Sequence, residues 1–257
     1  MIHLAWSSRG GPPAHGRHRV ALLLQLGATG AVLGWLPGNA IKLLAMMLVW
    51  GIGFGRISRR ELMLMAGVNL LFSAMDLAAL YSGVFWFQHP DLLGLPIYEF
   101  FMWGFFTLHA LRFVGAVPKA PPLLPSLALT ALFATPFVTI NQPSFLFCAS
   151  SVVLIGVLAI FRDPVNFAYA GYMIAIGCLI EYIGVWTGQW AYPGPPPGGV
   201  ALWFIPMWGG VGLVTGLLLG PLVYPGERVS SVPEANQSRR AEKAFGGAPD
   251  SLFRARN

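Results

Sequence analysis

Charge is what this sequence has least of: only 10% of its 257 residues are Asp, Glu, Lys or Arg, against roughly 25% in an ordinary soluble domain. So few charges cannot cover a water-exposed fold, which excludes a soluble globular class. Cysteine is equally scarce. Cys148 and Cys178 stand alone, without metal-type spacing, which excludes a disulfide framework and a zinc site and leaves two packing residues. No short apolar run ending in a cleavage site precedes Val20, so no removable leader is expected. A convincing Gly-rich phosphate loop and a serine nucleophile elbow are also missing.

Apolar residues take the place of charge. They make up 56% of the chain, whose mean hydropathy is +0.64. Runs near the ~20 residues of helix that cross a hydrocarbon core recur at about Val20 to Trp35, Ala40 to Gly55, Leu62 to Phe85 and Ile97 to Ala116, then at Leu123 to Ile140, Phe145 to Phe161, Asn166 to Gly188 and Val200 to Val223. Lipid offers no partner to free backbone groups, and runs without strict alternation favour helices over a barrel. The expected fold is therefore an all-α integral membrane bundle of about eight transmembrane helices. A short segment, 1–19, precedes the helical domain, 20–224, and a tail, 225–257, of Gly, Pro, Ser, Glu and Arg is expected to stay disordered.

Lys and Arg accumulate in cytoplasmic loops. Arg9, Arg17 and Arg19 precede the first span; Arg56, Arg59 and Arg60 follow the second; Arg112 and Lys119 follow the fourth; Arg162 follows the sixth; and six more follow the eighth. Lys42 is the one exception. Every second loop is basic, which fits both termini on the cytoplasmic side of a cell inner membrane. The net charge of +6 is this loop charge facing solvent and anionic lipid, not a nucleic-acid surface.

The eight spans also allow two parallel sets of four. MDLAALYSGVFWFQHP in the third span and IEYIGVWTGQWAYPGP in the seventh each place an acid seven residues before a glycine, with aromatics after it. Parallel repeats are one way to build a membrane site between two halves. The loops after these acids, rich in Pro, Gly and aromatics, suit a compact cap or re-entrant segment over the outer mouth.

Ionisable groups deep in a bilayer are costly and so ask for a reason. Asp76, Glu99 and Glu181 lie in the outer halves of their spans at similar depth. As protonated acids they could donate a proton to an alkene or epoxide; as structural groups they could pair with Asn69, Ser73 or His109. Trp86, Trp103, Tyr182, Trp186 and Trp208 are candidate walls of a substrate cavity, since ring faces stabilise cations. Trp103 follows Glu99 by one helical turn and shares its face. Trp190, Tyr192 and Trp203 fit an interfacial belt better. His89, His109 and Arg112 are read as polar contacts rather than catalysts.

The stretch Asp76, SGVFWF, LLGL and LPIYEFF resembles the membrane lycopene-cyclase domain of carotenoid synthesis. The later EYIGVWTGQWAYPGP and LWFIPMWGG are similar to related carotenoid-biosynthesis membrane proteins. Tyr98 stands where that domain has the first of two glutamates. The resemblance covers under a third of the chain. It implies that Asp76, Glu99 and Glu181 are the acidic groups of a non-redox isoprenoid cyclase or hydratase acting on a long apolar isoprenoid without metal or cofactor. A proton-coupled small-molecule transporter and a membrane lipid-binding or lipid-hydrolase protein are the alternatives.

Overall fold

The computed structural model describes residues 16–116, 123–194 and 198–219. The expected termini, with Arg9 and the tail, lie outside these residues, as does Lys119. Eight α-helices follow one another among the described residues: α1 (Gly16–Trp35), α2 (Asn39–Phe54), α3 (Arg59–Tyr81), α4 (Glu99–Val114), α5 (Leu123–Thr139), α6 (Pro143–Ile160), α7 (Pro164–Trp186) and α8 (Phe204–Val214). The last runs on into a π-helical turn, Thr215–Leu219. Two short strands, β1 (Trp86–Phe87) and β2 (Trp190–Ala191), follow α3 and α7. By length and composition α3, α6 and α7 can cross a membrane, and α2, α5 and the stretch Phe204–Leu218 are shorter apolar helices.

The surface is that of a membrane protein. Leu44, Ile52, Leu70, Leu124 and Ile160 are each more than 70% exposed, whereas Asp76, Glu99, Glu181, His109 and Arg112 are all buried. This arrangement suits lipid, which leaves apolar side chains outside and drives ionisable ones inward. Arg19, Arg56, Arg59, Arg60 and Arg162 mark one end of the bundle. At the opposite end Trp35, Tyr81 and Trp186 project outward, 78%, 95% and 72% exposed, as an aromatic belt does.

Local chemistry fixes the helix limits. Ser58 and Glu61 form a reciprocal capping box, which starts α3 three residues before the expected Leu62. Each of the two side chains satisfies an otherwise orphaned backbone N–H. Ser58→Ala is expected to cost about 1 kcal/mol, read as a lowered unfolding midpoint in mild detergent. Gly83, with φ of 69°, then turns the chain after Tyr81. At the basic end Arg112 is buried rather than loop-exposed. Its guanidinium donates to Glu61 Oε1 at 2.9 Å and to the carbonyls of Phe54 and Arg56 at 2.6 and 2.9 Å, satisfying backbone acceptors left free where α2 stops. Lys42, the exception in the charge pattern, is buried too; it donates to Gln189 and lies 5.6 Å over the Tyr98 ring.

The second half repeats the first at a constant spacing. Arg59 and Pro164 begin α3 and α7, Tyr81 and Trp186 end them, and Glu99 and Phe204 begin α4 and α8; each pair is 105 residues apart. The caps match as well. Ser58 and Asp163, again 105 apart, both accept a backbone N–H at the helix start, and Gly83 and Gly188 both turn at φ near 70°. Packing follows the same rule: α3 lies on α4 as α7 lies on α8, while α1 packs on α7 as α5 packs on α3. β1 and β2 pair antiparallel, Trp86 opposite Ala191. Those two are also 105 apart, so Trp86 faces its own equivalent, as the residue on a pseudo-two-fold axis must, and Phe87 beside it faces Trp190. Two parallel four-helix repeats thus interlock around this axis.

Candidate functional site

The pseudo-axis passes through a cavity of about 40 Å³ whose lining includes Asp76, Glu99 and Glu181. Asp76 sits five residues before the end of α3 and Glu181 five residues before the end of α7, so the repeat itself puts two carboxyls at one depth. Each is tied to the next-but-one element by a tryptophan 27 residues later: Trp103 Nε1 donates to Asp76 Oδ2 at 2.6 Å, and Trp208 Nε1 donates to Glu181 Oε1 at 2.9 Å. The two indoles meet at the axis with centroids 5.0 Å apart. Gly177 makes room for Trp208, since a Cβ there would stand 2.3 Å from the indole.

The halves then diverge. Glu181 receives two more donors, Trp190 Nε1 at 2.9 Å and Tyr192 Oη at 2.5 Å, both on Oε2. Burial, and then the neighbouring Glu181 carboxyl, hold the Tyr192 phenol well above the ordinary tyrosine range, so it remains a donor. The positions equivalent to Trp190 and Tyr192 in the first half are Phe85 and Phe87, which have no polar hydrogen to offer. Glu99 has no counterpart acid, because its equivalent is Phe204. Among the described residues no hydrogen-bond donor reaches Asp76 Oδ1 or either Glu99 oxygen. The chamber is chemically lopsided: Glu181 is occupied by three donors, and the Asp76–Glu99 side has spare acceptors.

Of the residues singled out in the sequence, the structure brings Asp76, Glu99, Glu181, Trp103 and Trp208 to one cavity. Trp86, Tyr182 and Trp186 do not line it. Trp86 is 44% exposed on β1, Trp186 faces outward and donates to the Gly198 carbonyl at 3.2 Å, and Tyr182 packs against Trp186 with centroids 5.1 Å apart. Conversely Trp190, Tyr192 and Trp203, expected in the belt, are buried and line the chamber. The signal that exposes the error is the repeat: Trp203 is the equivalent of buried Tyr98, and Trp186 of outward-facing Tyr81.

The structural partners expected for the acids are engaged elsewhere or unpaired. Asn69 Oδ1 accepts from the Gly104 amide at 2.6 Å, His109 bonds the Leu22 carbonyl and Tyr172, and Ser73 Oγ has no partner among the described residues. In the loop beyond β1, Asp91 Oδ2 accepts from Asn39 Nδ2 at 2.8 Å and the Ile97 amide at 2.9 Å, fastening the loop to the start of α2. Among the described residues no group of three or more His, Cys, Asp or Glu side chains could hold a metal ion.

No family model matches the chain, and no curated protein does. Two solved structures are similar to it in fold: a mycobacterial Insig homolog, MvINS from Mycobacterium vanbaalenii, and a cross-linked trimer of a cysteine variant of MvINS. Each matches at a TM-score of 0.52 with 18% identity, covering 66% of this chain and 95% of that chain. The likeness shows a helical membrane-protein fold. It corrects the expected isoprenoid cyclase: the two solved structures that share the fold are of an Insig homolog. The geometry gives the physical reason: about 40 Å³ is far below the roughly 300 Å³ at which ligand pockets begin, so a long isoprenoid has no place to fold onto these acids. Glu181 is also already occupied as an acceptor from three donors.

Proposed function

We propose that the chain is a membrane-embedded binding protein that takes the polar head of an amphiphile into the acid-lined chamber, its apolar chain remaining in the lipid. The observation that carries this reading is the Glu99 carboxyl, directed into an aromatic chamber without a protein partner. A buried polar group left unpaired costs about 1–3 kcal/mol, and a ligand's donor would remove that cost. The lack of arginine at the aromatic end, with Arg56, Arg59, Arg60 and Arg162 at the other, supports a chamber facing the outer leaflet and a basic end facing the cytoplasm.

A proton-coupled carrier is the second reading, favoured by a site placed between two repeats. It requires a route from the chamber to the basic end. Stacked rings fill that direction: Trp50 on Phe105 at 4.6 Å, and Phe113 on Tyr172 at 4.0 Å between centroids.

Native mass spectrometry of the protein extracted in mild detergent tests the binding reading. Wild type is expected to carry one amphiphile. Met207→Trp, which fills the chamber from its wall, is expected to lose it while keeping its helical content. A wild-type protein that neither retains nor takes up any amphiphile would sink the proposal.

A further inference from the structure

The spare acceptors specify the head. Three carboxyl oxygens, Asp76 Oδ1 and both of Glu99, face a cavity with no donor of their own, and no Lys or Arg is among its lining residues. Glu99 is only 7% exposed and lines the cavity. A group that answers three acceptors at once and also suits aromatic walls has three donors and a positive charge. A primary ammonium has both. Ring faces attract such a cation, and Trp103, Trp190, Trp203 and Trp208 are among the lining residues. Donors narrow the choice: a trimethylammonium carries the charge but no N–H, so it leaves the three acceptors unanswered.

The repeat separates this role from a structural one. The acid-to-tryptophan ties of Asp76 and Glu181 occur in both halves and hold α3 to α4 and α7 to α8. Glu99 occurs once, its equivalent being Phe204, so the fold does not need an acid at that place. From this juxtaposition we infer that Glu99, with Asp76 beside it, binds the primary ammonium of an amine-bearing ligand. The inference rests on the binding reading above and names its ligand class.

The test uses the full chain in phosphatidylcholine nanodiscs, followed by its tryptophan fluorescence, four of whose indoles line the chamber. The probes are dodecylamine, dodecyltrimethylammonium, dodecanol and methylammonium. Dodecylamine is expected to give a saturable change, with the trimethylammonium and the alcohol at least tenfold weaker. Glu99→Gln is expected to weaken dodecylamine tenfold or more without moving the thermal midpoint. Should that variant fail to fold, the comparison among probes on the wild type decides alone. Equal binding of dodecanol and dodecylamine overturns the ammonium assignment and leaves the binding reading standing; so does a folded Glu99→Gln protein of unchanged affinity. If no probe binds saturably, the ammonium inference falls; if native mass spectrometry also finds no amphiphile, the binding reading falls with it. Methylammonium as tight as dodecylamine identifies a free amine as the ligand. Affinity confined to the chain-bearing amine, and to nanodiscs doped with phosphatidylethanolamine, identifies a lipid headgroup.

Discussion

Gly184→Val is expected to destabilise the protein by about 3 kcal/mol, combining overpacking of ~1–3 kcal/mol with a lost hydrogen bond. A Cβ at Gly184 would stand 2.0 Å from the Trp190 indole, and Trp190 cannot swing away without releasing Glu181 Oε2 and leaving Phe87, its edge-on neighbour at 5.8 Å. The same helix supplies the control. Gly171 has nothing within 4 Å of its would-be Cβ, so Gly171→Ala is expected to leave stability unchanged or raise it by up to about 1 kcal/mol, the helix preference of Ala over Gly. Thermal melting in detergent, followed by tryptophan emission, checks both. Comparable melting of the two variants would show that Trp190 is not held against α7.

The second expectation concerns the unequal carboxyls. Glu181→Leu strands three buried donors, from Trp190, Tyr192 and Trp208, whereas Asp76→Leu strands one, from Trp103. At about 1 kcal/mol for each orphaned donor, the lower end of the cost in soluble proteins and within the spread seen between membrane helices, the losses are about 3 and about 1 kcal/mol. Unfolding in mixed micelles measures both. Equal losses would mean that Tyr192 and Trp190 find other acceptors and that the acid does not organise the cap.

Much of this was legible in the residues. Length, hydropathy and the basic loops give the helical membrane fold, and the spacing of Asp76, Gly83 and the following aromatics against Glu181, Gly188 and theirs gives the duplication. Ranking of the acids was not legible. Composition places three carboxyls at one depth but says nothing of donors, and the difference between Glu181 and Asp76 comes from Trp190 and Tyr192 standing where the first half has Phe85 and Phe87. Aromatic roles were misassigned for a related reason. Trp186 and Trp190 are four residues apart, yet Gly188, at φ of 70°, reverses the chain between them, so one indole faces outward and the other turns back into the chamber. The short resemblance to lycopene cyclases rests on acid-and-aromatic spacing, a pattern that the ties of Asp76 to Trp103 and of Glu181 to Trp208 also contain.

The interlocking of the halves sets an order on biosynthesis. Gly30 and Gly34 of α1 lie against Ile183 and Thr187 at the end of α7, so this face of α1 meets its partner only after α2 to α6 have been made. Pairing across so long a stretch of chain slows folding. Until α7 arrives, the glycine face of α1 is open to any other small-residue surface in the bilayer. Truncation before α7 should therefore leave a nascent chain whose Gly30–Gly34 face is unmatched, prone to capture by membrane quality control even though α1 still packs on α2.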